Sequence, residues 1–435
     1  MPSTYHITGG KPLNGTVELA GAKNASSKML LASLLTKESV TIDNLPRHAE
    51  IQIAEDLLKG VGAKVNWVEE HTASVDASEI VSPTVTEQSR KNRLSVLTLA
   101  PLLHRVGEAF VPVVGGDKIG PRPVNFHLDA LKQMGARVEE TTGGYQASIN
   151  GRLKGTLIEL PYPSVGATET VILAGVLANG RTVIKNAAIE PEIMELVKML
   201  QKMGAIIEVG VNRQFEIIGV EELHGCRVRV MPDRNEAVSY ACMALGTRGE
   251  IFVKGAVHDH LINFLNAVRK IGGTYEIRPD GILFKTINGL NGIELETDTH
   301  PGFMTDWQQP FTVVLTQAHG TSVVHETVYE ERFGYTETLK NMGADITLFP
   351  NCLGEIQCRF KGMNYKHSAV IKGPSSLQAA EIVVPDIRAG LAFVIAALVA
   401  EGESVLTGIE HLDRGYERLE EKLRGLGVDI RRVED

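Results

Sequence analysis

The stretch Leu57 to Val65, LLKGVGAKV, reads as the last turn of a helix, a glycine that stops it, and the start of a β-strand. A glycine just past an apolar helical face can take the left-handed conformation that other residues resist, and β-branched residues beyond it favour extended backbone. The phrase returns five times: LKQMGARV from Leu131, LQKMGAIIEV from Leu200, VRKIGGTYEI from Val268, LKNMGADITL from Leu339 and LRGLGVDIRRV from Leu423. The glycines at its centre are Gly62, Gly135, Gly204, Gly272, Gly343 and Gly427, which by subtraction lie 73, 69, 68, 71 and 84 residues apart.

A second phrase accompanies each copy, an apolar helix broken by Gly or a charge before a strand: ASLLTKESVTI, LLHRVGEAFVPV, GVLANGRTVIK, ALGTRGEIFVK, LTQAHGTSVVH and ALVAEGESVLT. Two helices and several strands per unit make a βαβαββ-like unit written six times. The period exceeds the roughly 20 to 50 residues of solenoids, so it predicts compact packing rather than a stack. The expected fold class is α/β: two domains of three units each, with apolar helices inside, sheets outside, and a boundary between Val228 and Asp233.

At 435 residues the chain is long enough for two such cores, since single cores stop growing at about 250 to 300 residues. A hydrophobic share of 43% excludes wholesale disorder, and a formal charge of −9 argues against a nucleic-acid surface, so any anion site must be local. The start, MPSTYHITGG, lacks the basic and apolar regions of a secretory signal. The longest apolar run, Ala389 to Ala400, is shorter than the about 20 residues that span a bilayer, so a cytoplasmic location is expected. Cys226, Cys242, Cys352 and Cys358 have no metal-ligand spacing and read as reduced, mostly buried thiols, in preference to a structural zinc site.

Several segments have the make-up of an anion site. Lys23 and Asn24, in GAKNA, open an apolar helix whose backbone N–H groups suit an anionic oxygen cluster, although a solvated lysine would look the same. In GGDKIGPRP, from Gly115 to Pro123, glycines allow close backbone approach and prolines stiffen the segment carrying Arg122; Lys118 and Arg122 could hold a phosphate, or the segment is a surface turn. Ser164 resembles an N-cap before an apolar helix. Asp306, in MTDWQQP, is either another helix cap or a general base. The turns VPDIR and HLDRGY each set an Asp, Asp386 or Asp413, close to an Arg, Arg388 or Arg414, as a structural ion pair would.

Together, GAKNA, GGxxIGxRPV at 115 to 124, PSVGAT at 163 to 168, EPEI at 190 to 193, PDRxE at 232 to 236, TDxQ at 305 to 308, ERF at 331 to 333 and DRGYER at 413 to 418 resemble the UDP-N-acetylglucosamine 1-carboxyvinyltransferase family over essentially the whole chain. These are enolpyruvyl transferases that open peptidoglycan precursor synthesis. The resemblance implies two inside-out α/β domains, one of residues 23–231 with a mobile catalytic loop at about 112–124, the other of 1–22 with 232–435, and an active site in the cleft between them. It also implies transfer of the enolpyruvyl group of phosphoenolpyruvate to the 3′-hydroxyl of UDP-N-acetylglucosamine, with no cofactor, no metal and no obligate protein partner.

By position, the resemblance assigns Lys23, Asn24, Arg122, Arg388 and Arg414 to phosphoenolpyruvate. It assigns Arg93, the run Arg122, Pro123, Val124, Asn125 and Phe126, then Ser164, Val165, Gly166, Asp306 and Val328 to the sugar nucleotide. Asp306 is then the base for the hydroxyl, Lys23 and Arg414 assist the chemistry, and Asp117 stands where many members carry a fosfomycin-alkylated cysteine. A carboxyl there can still donate a proton, and insensitivity to fosfomycin is expected. Tyr162, Glu331 and Glu50 depart from the residues frequent at their positions and could reshape nucleotide binding. Rival readings are the sister transferase of the shikimate pathway, whose usual Lys-Ser pair is Lys23-Asn24 here, a paralogue with another acceptor, and a catalytically silent nucleotide-sensing relative.

Overall fold

The computed structural model describes residues 3–85, 93–115, 124–356 and 358–434. Within them the chain divides into two units, one made of 3–20 with 232–434 and the other of 21–115 with 124–231. Among the described residues it passes between them at Ala20/Gly21 and at Met231/Pro232.

All six repeat glycines have positive φ: 108° at Gly62, 94° at Gly135, 101° at Gly204, 86° at Gly272, 107° at Gly343 and 88° at Gly427. Each ends a helix and turns the chain into a strand, which is why the phrase needs glycine at that position. The helices before them present one apolar face. In Ala49–Val61 the buried Ile51, Ala54, Leu57, Leu58 and Val61 recur at helical spacing.

The helices of the second phrase differ in kind. Every residue of Arg234–Gly246 is buried, as are nearly all of Thr305–Leu315 and Ile387–Val399. These three pack on one another at the centre of one unit. In the other unit most residues of Lys23–Ala32, Leu99–Val106 and Val165–Gly175 are buried too. Helices covered on nearly every side lie inside, and the sheets form the outer layer.

Each repeat contributes one sheet. Four-stranded sheets combine a parallel pair with an antiparallel hairpin, as where Glu294–Glu296 runs parallel to Gly320–His325, which pairs antiparallel with Ser368–Gly373. One sheet has three strands, and a parallel bridge between Thr84 and Phe110 stands where its fourth would be. The N-terminal segment completes two repeats of the larger unit: Ser3–Thr8 lies between Glu403–Thr407 and Asp429–Glu434, and Asn14–Glu18 runs parallel to Glu250–Lys254. Each unit has its own apolar core, built around Phe264, Trp307, Phe311 and Phe393 in one and around Leu30, Leu103, Leu173 and Met199 in the other. Among the described residues no helix is long and apolar enough to cross a membrane.

Candidate active site

In the unit containing residues 232–434, the sequence-predicted residues gather at the N-terminal ends of the inner helices. Asp306 is the second residue of Thr305–Leu315, but it does not cap that helix: the N-cap is Met304, which makes no side-chain cap bond. Its carboxylate accepts from Arg332 Nη2 at 2.6 Å and from Arg388 Nε at 3.1 Å. Arg332 is almost wholly buried, so this pair of charges is shielded from water on the arginine side.

Arg388 follows its own cap, Asp386, whose carboxylate accepts from the backbone N–H of Arg388 at 2.8 Å and of Ala389 at 3.0 Å. The ion pair expected between Asp386 and Arg388 is thus replaced by a helix cap, and the guanidinium turns to Asp306 and to the Tyr416 hydroxyl at 3.0 Å. Burial pulls the guanidinium down, and Tyr416, Asp306 and Asp233 outweigh that pull and hold it above its ordinary value. The Tyr416 phenol is pushed up to about 12 by burial, against the opposing pull of Arg388. Likewise Asp413 meets Arg432 at 2.7 Å. Arg414, half-buried, closes the short helix Glu410–Asp413.

Val328 is held from both sides. Its N–H donates to Glu326 Oε1 at 2.8 Å and its carbonyl accepts from Arg359. Glu326, completely buried, also accepts from Tyr329 N at 3.0 Å and Thr305 Oγ1 at 2.9 Å. Burial raises its pKa, while Arg332 and these donors lower it in part.

In the other unit, Lys23 and Asn24 are half-buried and open Lys23–Ala32, a helix with no side-chain cap and no acid in its first turn. That leaves the positive end of the helix to complement an anion. Val124 is the N-cap of Asn125–Gln133, with Asn125 exposed and Phe126 half-buried. Ser164 caps Val165–Gly175, its hydroxyl accepting from Ala167 N at 3.4 Å.

His127 joins these segments. Its Nδ1 lies 2.7 Å from Thr170 Oγ1, and a Cβ on Gly166 would fall 2.8 Å from its Cε1, so only glycine admits the ring. Burial, with a smaller push from Arg93, depresses the imidazole to about 3 and keeps it neutral. The ring thus seats the helix that begins after Val124 against the helix that Ser164 caps. Deeper in this unit, burial raises Glu169 to about 7, with Lys28 opposing and Glu190 and Glu192 adding to the rise.

Asp117, Arg122 and Pro123 lie outside the described residues, as does most of the expected catalytic loop. Four residues that organise the candidate site were not predicted: His127, Glu326, Arg332 and Tyr416. Arg332 and Tyr416 stand inside the quoted ERF and DRGYER motifs, but nothing local marks Glu326 or His127, whose roles come from burial among distant segments.

The chain matches the profile of the family described as EPSP synthase (3-phosphoshikimate 1-carboxyvinyltransferase) over residues 7–423. The chain belongs to that family. Within it, the chain is 49% identical over 439 residues to the UDP-N-acetylglucosamine 1-carboxyvinyltransferase of Protochlamydia amoebophila, covering 99% of this chain and 94% of that protein. Proteins of the same name from Chlamydia muridarum and Zymomonas mobilis are 45% and 42% identical, each covering 98% of this chain and 97% and 98% of their own lengths. Among solved structures, the enolpyruvyl transferase NikO from Streptomyces tendae superposes with a TM-score of 0.88 at 23% identity, covering 99% of both chains. An EPSP synthase from Acinetobacter baumannii gives 0.78 at 17% identity, covering 99% of this chain and 100% of its own. At those identities the likeness shows the fold alone, the enolpyruvyl transferase fold.

Proposed function

We propose that this protein transfers the enolpyruvyl group of phosphoenolpyruvate to the 3′-hydroxyl of UDP-N-acetylglucosamine with release of phosphate, the first committed step of peptidoglycan precursor synthesis in the cytoplasm. The observation that carries this reading is full-length identity of 39–49% to proteins bearing that activity in their names.

In the proposed reaction, Asp117 donates a proton to C3 of phosphoenolpyruvate while the sugar hydroxyl attacks C2 and yields its proton to Asp306. The resulting tetrahedral ketal then returns a proton from C3 to the Asp117 carboxylate and releases from C2 the phosphate, which takes up the proton held by Asp306, and the double bond is restored. Lys23, Asn24, Arg122, Arg388 and Arg414 compensate the charges of carboxylate and phosphate. Arg93, Arg122 to Phe126, Ser164 to Gly166, Asp306 and Val328 hold the sugar nucleotide.

The contact between Asp306 and Arg388 supports this assignment, because it puts the base for the hydroxyl beside a cation assigned to phosphoenolpyruvate. Two guanidiniums make a carboxylate a weak base. Binding of the anionic substrate would draw Arg388 away from Asp306 and strengthen the base at the moment it is needed. The neutral His127 and its neighbour Gly166 support the sugar-nucleotide assignment by fixing the relative positions of two of its segments.

The test is phosphate release measured with each substrate alone and with both. Release that requires phosphoenolpyruvate and UDP-N-acetylglucosamine together is expected. Release with shikimate 3-phosphate in place of the nucleotide, or none with either acceptor, would reject the proposal.

A further inference from the structure

In the sheet that contains Gly320–His325, one connection is out of scale with its counterparts. The hairpin strands of four other repeats are joined by residues 70–71, 141–143, 210–214 and 279–280, whereas Asp345–Phe349 and Ser368–Gly373 are joined by 350–367. A long connection between adjacent antiparallel strands needs something to hold it. Three side chains of this segment, Cys352, Cys358 and His367, meet His325 from the end of the neighbouring strand, and their donor atoms all lie within 4.8 Å of one another.

The orientation of three of the four donors is set from behind. His325 Nδ1 lies 3.1 Å from Glu296 Oε2, and a carboxylate can only accept, so the proton sits on Nδ1 and the lone pair on Nε2 faces the cluster. His325 is completely buried, and its Nε2 has no hydrogen-bond partner among the described residues, which is costly for a polar atom in the interior. His367 Nδ1 donates to the Tyr365 carbonyl at 2.7 Å, and its Nε2 lies 3.4 Å from Cys352 Sγ. Cys358 Sγ accepts from Phe360 N at 3.3 Å. Glu296 is itself fixed by the backbone N–H groups of Glu355 at 2.7 Å and Ile356 at 2.8 Å. A Cβ on Gly354 would collide with that carboxylate and with the His325 ring.

We propose that His325, Cys352, Cys358 and His367 bind one zinc ion in a closed tetrahedral site that clamps the 350–367 segment onto the sheet. Two thiolates and two imidazoles are the ligand set that zinc favours over harder cations. Metal–ligand lengths of about 2.3 Å for sulfur and about 2.0–2.1 Å for nitrogen place ligand atoms roughly 3.3–3.8 Å apart, so small side-chain rotations close the site. Imidazoles backed by a carboxylate and by a backbone carbonyl are the outer support that zinc histidines characteristically have. Four protein ligands leave no open position, so the role is structural. Sequence spacing did not reveal the site, because one ligand stands 27 residues before the next, on another strand.

The test is metal analysis of the full chain isolated without chelator and with reductant from zinc-replete medium. One zinc per chain, retained on dialysis, is expected, with an X-ray absorption spectrum showing two sulfur and two nitrogen neighbours at about the lengths above. Cys352→Ser and Cys358→Ser should each lose the metal, while Cys226→Ser keeps it. Should the first two variants fail to fold, cobalt added to metal-depleted, reduced wild-type protein decides the matter through the thiolate charge-transfer band and visible spectrum of tetrahedral cobalt. Three outcomes would overturn the proposal: reduced protein that takes up neither zinc in competition with a chromophoric chelator nor cobalt, a bound metal with only oxygen and nitrogen neighbours, or a Cys352–Cys358 disulfide in freshly isolated, thiol-blocked protein.

Discussion

At the scale of single residues, Asp117 carries the sharpest consequence of the proposed reaction. Asp117→Asn cannot donate a proton and should lower turnover by at least about 100-fold, while UDP-N-acetylglucosamine binding, followed by calorimetry, changes little. A variant with near-normal turnover would remove Asp117 from the chemistry. A carboxylate is also a much poorer nucleophile than a thiolate. Fosfomycin should therefore produce no time-dependent loss of activity, and progressive irreversible inactivation would count against this. Glu169 gives a prediction independent of activity. Its folded-state pKa of about 7 lies above the ordinary 4.5, so the folded chain holds a proton that the unfolded chain releases. The stability it contributes is full below about pH 4.5 and is lost as pH rises through about 7. Denaturant titrations should therefore show the wild type losing stability relative to Glu169→Gln across that window. An unchanged difference between pH 4.5 and 8 would mean that Glu169 ionises normally. Asp306 and Asp386 stand in the sequence alike, each at the start of an apolar helix. One caps and the other joins two guanidiniums, a distinction made by what the fold brings within reach.

At the scale of elements, the helix–glycine–strand phrase was fully legible, because it depends on backbone conformation that neighbouring residues dictate. Alanine at Gly427, where φ is 88° and no atom lies within 4 Å of the added carbon, should cost only the left-handed penalty of about 1–2 kcal/mol. At Gly62 the same change adds contacts of 2.8 Å to Val81 Cγ2 and 2.9 Å to Val81 N, so Gly62→Ala should destabilise more. Chemical denaturation of both variants checks the order, and equal losses would show that Val81 yields without cost. Ser164 as a cap was legible for the same local reason. The zinc-ligand cluster was not, since two strand ends and a long connection must fold before its four donors meet.

At the scale of the whole molecule, each unit closes its own core, and those cores share no residue. Phe311 is completely buried among the inner helices of one unit, and Phe311→Ala should cost about 3–5 kcal/mol there. Scanning calorimetry should then show the melting of that unit lowered and the melting of the other held. A single transition shifting as a whole would mean that the units unfold together. The six repeats, their inside-out layering and the family were present in the sequence by itself, because periodic glycines, wholly apolar helices and ordered motifs are properties of neighbours along the chain. Tertiary structure alone decided which strands the N-terminal segment pairs with, that Arg332 and Arg388 share Asp306, that His127 seats against Gly166, and that His325 faces two cysteines. Those pairings join residues tens to hundreds of positions apart, and they form only where the fold brings matching groups within reach, which no local pattern encodes.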